Sequence, residues 1–240
     1  MIVLFTDFGV SGPYLGQMHA VLARQAPGVP IIDLFNDLPS QDVRAAAYLL
    51  PAYAQGFPPD TVFVCVVDPG VGGSRRAVML RAEHRWYVGP DNGLFHILAR
   101  RASTTECYEI VWRPRGLSAS FHGRDLFAPV AAMLAQGKRP EAVPAVLSAP
   151  TPAWPEDIAQ VLYIDHFGNA ITGLRASELP RHARLRAGRE EVSYARTYSE
   201  VDPGQVFWYE NANGLVEISA NQGRVKAFLG IAVGDVLGLL

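Results

Sequence analysis

Apolar residues in this chain fall into short runs, and most of the runs stop at a polar residue followed by glycine. Residues 62–67, Val-Phe-Val-Cys-Val-Val, form an unbroken apolar run that fits a central strand covered on both faces, as in parallel sheets. It ends on Asp68-Pro69-Gly70-Val71-Gly72-Gly73-Ser74-Arg75-Arg76. Asp68 therefore stands at a strand's carboxyl end, where open α/β sheets bind ligands, and the glycines let backbone come close to a bound molecule. Residues 1–5 repeat the construction and end on Thr6-Asp7-Phe8-Gly9. Leu15, Met18, Val21 and Leu22 recur at helical spacing, so a crossover helix is expected over residues 14–24.

A strand over 31–35 follows, then a helix over 42–53 with Ser40 as its expected cap. Residues 78–80 and 86–88 read as a hairpin before Gly89-Pro90-Asp91-Asn92-Gly93, with residues 94–101 helical and 107–111 a further strand. Phe121-His122-Gly123-Arg124-Asp125 opens a helix that continues to residue 136. A helix start carries partial positive charge, which lowers an imidazole pKa and favours the neutral ring able to accept a proton. Prolines crowd residues 137–157 and mark a linker. Beyond it, strands are expected at 159–164, 183–186, 191–194, 206–209, 215–220 and 231–237, with no helix of any length. The fold class expected is α/β: an N-terminal three-layer, Rossmann-like domain over residues 1–148, followed by a smaller antiparallel β-barrel-like domain over 149–240.

Composition narrows the function. The chain has 240 residues, is 49% hydrophobic, and carries a formal charge of −2 with no basic run, so the footprint of nucleic-acid binding is missing. No apolar segment approaches the ~18 residues of a membrane span, and the N-terminus enters a strand without a basic signal region, so a cytoplasmic protein is expected. Cys65 and Cys107 are read as inert core thiols. At this point Asp68 with Arg75 fits either a turn-capping pair or a catalytic pair, and Asp165-His166-Phe167-Gly168-Asn169 fits either an Asx turn or a binding loop.

Taken together and in order, Thr6-Asp7-Phe8-Gly9, Asp68-Pro69-Gly70-Val71-Gly72 with Arg75, Pro90-Asp91-Asn92-Gly93, Phe121-His122-Gly123-Arg124-Asp125 and Asp165-His166-Phe167-Gly168-Asn169 resemble the S-adenosyl-L-methionine (SAM) hydroxide adenosyltransferase family, relatives of fluorinase and chlorinase enzymes. The resemblance implies hydrolysis of SAM to adenosine and L-methionine without metal or cofactor, in a homotrimer with active sites between subunits. It makes Asp68, Arg75 and His122 the set that handles the attacking water. Asp7, with Phe8 beside it, matches the carboxylate that grips the ribose, and Asn169 matches an adenine contact with Phe167 and Tyr198 near the base. Asp165 looks like the partner of the methionine ammonium. Asn213, Ser219 and Asn221 are similar to the segment that reads adenine. The halogenating relatives carry tryptophan at the position of Gln41 and arginine at that of Asn213. An ionised Asp68 about 4 Å from a halide would repel it by about 4 kcal/mol at an effective dielectric of about 20, so the charged trio favours water as the nucleophile. Arg124 and Asp125 are expected to steady the His122 loop.

Two further classes fit the residues. A metal-dependent phosphoesterase could collect Asp7, Asp68, Asp91, His122 and His166 as ligands. A protein that binds adenosine or SAM without catalysis would use the aromatic and Asn/Asp positions and leave the trio idle.

Overall fold

The computed structural model of the protein describes residues 1–240, which divide into two compact units, Met1–Trp154 and Pro155–Leu240. In the first unit, β1 (Ile2–Thr6), β2 (Ile31–Phe35), β3 (Val62–Val66), β4 (Ala77–Ala82), β5 (Arg85–Pro90), β6 (Thr105–Ile110) and β7 (Ala142–Pro144) form one sheet in the order β2-β1-β3-β5-β4-β6-β7. The β2-β1-β3-β5 half is parallel, and β4, β6 and β7 continue it antiparallel. All five residues of β1 and of β3 are buried, as continuous apolar runs between two helical layers require.

Successive side chains of these strands point to opposite faces. On one face Ile2, Leu4, Val62, Val64 and Val66 meet α1 (Tyr14–Gln25) and α4 (Ala128–Ala135) through Met18, Leu22, Val130 and Ala131. Aromatic residues gather elsewhere in the unit: Phe63 stacks on Tyr87 at 4.9 Å, and Phe35 meets Phe5 and Tyr53 edge-on. Tyr53 belongs to α2 (Val43–Ala54), which packs beside α3 (His96–Arg101). The cap of α2 is Asp42, whose carboxylate accepts from the Ala45 N–H at 2.9 Å, and not Ser40. The proline-dense stretch is not all linker, since residues 142–144 add β7 to the sheet edge, where proline is tolerated.

The second unit contains β8 (Ile158–Ile164), β9 (Ala170–Arg175), β10 (Leu185–Ala187), β11 (Glu190–Val192), β12 (Val206–Glu210), β13 (Leu215–Ala220), the short α5 (Val225–Leu229) and β14 (Gly238–Leu239). The strands make two sheets, β12-β13-β9-β8 and β11-β10-β14, with open edges and no closed barrel. Their shared core centres on Trp208, Val216 and Ile218. Two expectations fail here. β9 had no counterpart in the sequence reading, and residues 231–237 are not a strand but a loop with one bridge, Gln160 to Val236. Gly230 before that loop and Gly234 within it adopt left-handed backbone, φ 67° and 97°, and interrupt any extended run.

Candidate active site

Because β1 and β3 are parallel neighbours with Thr6 opposite Val66, the residues that follow them leave the sheet side by side. Asp7 and Asp68 thus come to one edge. The Asp7 carboxylate accepts the Gln41 backbone N–H at 2.8 Å, and Gln41 adopts left-handed backbone, φ 62°, to offer it. Burial raises the Asp7 pKa above the ordinary carboxylate value; the Gln41 N–H pulls against this and the nearby Asp68 charge adds to it.

Asp68 is held by Arg75 in a forked contact: Nε lies 3.1 and 3.0 Å from the two carboxylate oxygens and Nη2 2.5 Å from Oδ2. The same Nη2 lies 2.8 Å from His122 Nδ1. A guanidinium has only donors, so Nδ1 must be the acceptor and the neutral ring carries its proton on Nε2. Burial lowers the His122 pKa, and the Arg75 charge lowers it further against the opposing pull of Asp68. The ring is therefore neutral, as expected, but its free nitrogen presents an N–H donor and not the basic lone pair anticipated from the sequence.

Local structure fixes these groups. Gly72, at φ 79°, lies so close to the neighbouring loop that a Cβ would stand 2.4 Å from the Ala119 carbonyl oxygen. His122 caps a π-helical turn, Gly123–Phe127, the kind of bulge often found at functional sites. Arg124 braces that turn by forking onto Asp125 and reaching Gln17 on α1, while Asp125 accepts the Ser118 N–H. Asn92 donates to the Val67 carbonyl at 2.9 Å and so holds the end of β3 beside Asp68. Asp91, the other polar residue of that motif, is turned to Arg76 and Ser148.

The result is a pocket of about 390 Å³ lined by Asp7, Phe8, Gln41, Asp68 and His122, with Tyr14, Ser40, Val71, Ser120 and Phe121 among the other walls. Phe121 meets Phe8 and Tyr14 edge to face, with centroids 5.7 and 5.3 Å apart, and Phe8 and Tyr14 are tilted against each other at 6.1 Å. Tyr14 and Phe121 were not picked out from the sequence as site residues, although Phe121 opens one of the motifs and Tyr14 is an exposed aromatic at a helix start. No three His, Cys, Asp or Glu side chains converge in a geometry that could hold a metal ion.

In the second unit, Asp165 accepts the Asn169 backbone N–H at 2.8 Å and its Nδ2 at 2.9 Å, and Asn169 Oδ1 lies 3.1 Å from the Tyr198 hydroxyl. Tyr198 also meets Ser219 Oγ at 3.0 Å. Four of the expected residues thus form one network. Phe167 is 74% exposed on the same turn. Asn213 reaches the network only through its backbone N–H, which donates to Asn211, and Asn221 turns away from it and donates to the Val201 carbonyl. His166 is exposed, its ring against Phe167. Glu217, Tyr209 and Asn211 join the network and were missed, although a carboxylate in the middle of the Leu215–Ala220 run is a visible anomaly.

Comparison with known proteins gives the same answer along the whole chain. Family models for the SAM hydroxide adenosyltransferase N-terminal and C-terminal domains match residues 2–144 and 159–238. An (R)-S-adenosyl-L-methionine hydrolase of Salinispora arenicola is 40% identical over 97% of this chain and 94% of its own length. A protein of the same name from Thermus thermophilus is 40% identical over 100% and 99%. A crystal structure of an uncharacterized conserved protein from Thermotoga maritima, 32% identical, superposes with a TM-score of 0.84 over 100% of this chain and 99% of that one. The chain belongs to the SAM hydroxide adenosyltransferase family.

Proposed function

We propose that this protein is an enzyme that hydrolyses SAM to adenosine and L-methionine, and that it takes the R epimer at sulfur for which its relatives are named. The observation that carries the reading is the contact of one Arg75 nitrogen with both Asp68 and His122 at a pocket that also holds Asp7. The sulfonium departs as a neutral thioether and needs no proton, so the difficulty lies with the nucleophile. Bulk water has a pKa of about 15.7 and a free Asp about 3.9, so forming hydroxide before attack would cost about 16 kcal/mol. In the proposed step Asp68, oriented by Arg75, accepts from a water, and the His122 Nε2–H donates to the same oxygen. The oxygen–C5′ bond forms as the C5′–sulfur bond breaks with its electron pair on sulfur, and the proton leaves through Asp68. Positioning of this kind can supply roughly 7–11 kcal/mol.

Asp7 is proposed to hold the ribose hydroxyls, with Phe8 and Gln41 in the same wall. Asp165, Phe167, Asn169, Tyr198 and Ser219 are proposed to take the ammonium and adenine; Asn213 and Asn221 are proposed as weaker contacts beside them, since their backbone N–H groups donate to Asn211 and Gln205 and the Asn221 amide donates to Val201. No cofactor is invoked. We also propose a cytoplasmic homotrimer with active sites at subunit interfaces. No helix is long and apolar enough to cross a membrane.

The test is incubation of the purified protein with each sulfonium epimer in ¹⁸O-labelled water. Adenosine carrying the label at its 5′ oxygen, together with unlabelled methionine, is expected from the R epimer. Absence of adenosine, or label appearing in another product, would remove the reading. Turnover that disappears with EDTA and returns with a divalent ion would favour the metal-dependent class.

A further inference from the structure

β13 presents alternate residues to the two faces of its sheet. Val216 and Ile218 join the core around Trp208, whereas Glu217 and Ser219 turn to the other face. Tyr209 stands directly across from Glu217 on β12, and its hydroxyl donates to Glu217 Oε1 at 2.5 Å. Asn211 Nδ2 donates to Oε2 at 3.0 Å, and its amide cannot be reversed because Asn211 Oδ1 already accepts the Asn213 and Leu215 N–H groups. Glu217 is 5% exposed, and no lysine or arginine forms an ion pair with it or with Asp165. A buried carboxylate is normally paired with a cation. The hydroxyl of Tyr209 lies 3.4 Å from that of Tyr198, which donates to Asn169, whose amide donates to Asp165, so the two carboxylates stand at the ends of one row of neutral polar groups.

We propose that Glu217 is a specificity-determining residue: a buried carboxylate without a counter-cation that acts with Asp165 to favour a cationic adenosyl substrate over neutral adenosine. This rests on the SAM reading and deepens it, because SAM brings an ammonium and a sulfonium against one carboxylate, a net positive charge, where adenosine brings none. Glu217 is a positioning residue in this scheme and touches no reacting atom. The Asp165 charge raises the Glu217 pKa alongside the larger effect of burial, so the two groups sense one another. A cation arriving at Asp165 relieves both. The hydrogen-bond direction is also set here: ionised Glu217 can only accept, which fixes the Tyr209 proton toward it.

The test compares dissociation constants, by calorimetry, for adenosine and for sinefungin, a SAM analogue with an amine in place of the sulfonium. Glu217→Gln removes the charge and keeps the shape, and with Asn211 fixed as a donor its amide must donate to Tyr209. The preference for sinefungin over adenosine is expected to fall on the order of tenfold, the effect of a unit charge about 10 Å away at an effective dielectric of about 20, with adenosine affinity within about twofold of wild type. Glu217→Asp should keep the preference. If Glu217→Gln does not fold, Glu217→Met with Tyr209→Phe removes the charge and the facing hydroxyl together, leaves only the Asn211 amide without its acceptor, and is expected to show the same loss of preference. An unchanged ratio in a folded neutral variant, or equal loss of both ligands, would overturn the role. Because binding is read without turnover, a wild type that binds sinefungin but leaves SAM intact would instead count against the proposed function.

Discussion

Arg75 does for His122 what a buried carboxylate does for many catalytic histidines, but with the opposite polarity. By donating to Nδ1 it selects the tautomer with the proton on Nε2, and its charge discourages a second proton. If the ring works as a donor, His122→Gln, which retains an N–H, should keep measurably more turnover than His122→Ala. Equal losses would point to a proton-accepting histidine. Asp68→Ala and His122→Ala are each expected to lower kcat by roughly 10²–10⁴-fold while the adenosine dissociation constant stays within about threefold. The pH dependence has a defined sign. With the His122 pKa lowered from 6.5, the neutral ring persists as the solution is acidified past that value, so the part of the acid limb of kcat that is due to His122 should lie below pH 6.5 and be missing in His122→Gln.

Among the elements, the parallel strands were legible because a strand buried on both faces leaves an uninterrupted apolar run, as in residues 62–67. Their carboxyl ends located Asp7 and Asp68 without coordinates. β9 escaped because Thr172 and Gly173 interrupt Ala170–Arg175, and only the fold shows why they are there. The Thr172 hydroxyl donates to the Val216 carbonyl, and a Cβ on Gly173 would press within 2.7 Å of Ile158. The contact from Arg75 to His122 joins residues 47 apart in the chain, and no local pattern encodes it. At this scale Gly72→Ala is expected to displace the loop before His122, since the new Cβ meets backbone and the residue must hold positive φ. A melting temperature lowered by several degrees together with a loss of kcat should be observed; an unchanged melting temperature would mean the loop gives way freely. Removing Arg76 should cost on the order of 3 kcal/mol in chemical denaturation, because the Asp91 carboxylate, 1% exposed, loses its cation.

For the whole molecule, the ionisable groups at the two sites pull stability in opposite directions. Asp7 and Glu217 have raised pKa values in the fold, so each stabilises the protein most below its unfolded value and loses that contribution as pH rises through the folded one. His122 is lowered, so its contribution is complete above about pH 6.5 and is lost as pH falls through the folded value. Asp7→Asn, which can still accept the Gln41 N–H, is therefore expected to raise the melting temperature at pH 7 by a few degrees while weakening substrate binding. A lowered melting temperature would show that the carboxylate is worth more to the fold than its burial costs. Light scattering after gel filtration should return three times the 26.1 kDa of one chain; a monomer mass would refute the proposed trimer.

The double duty of a single Arg75 nitrogen also limits how such a pocket could be repurposed for chloride or fluoride. Exchanging Asp68 alone strands a guanidinium against the imidazole, and exchanging Arg75 alone releases an anion into the mouth of the cavity. Routes that begin at either of these two positions thus pass through poorer intermediates, and a laboratory conversion should begin from all three positions varied in one library.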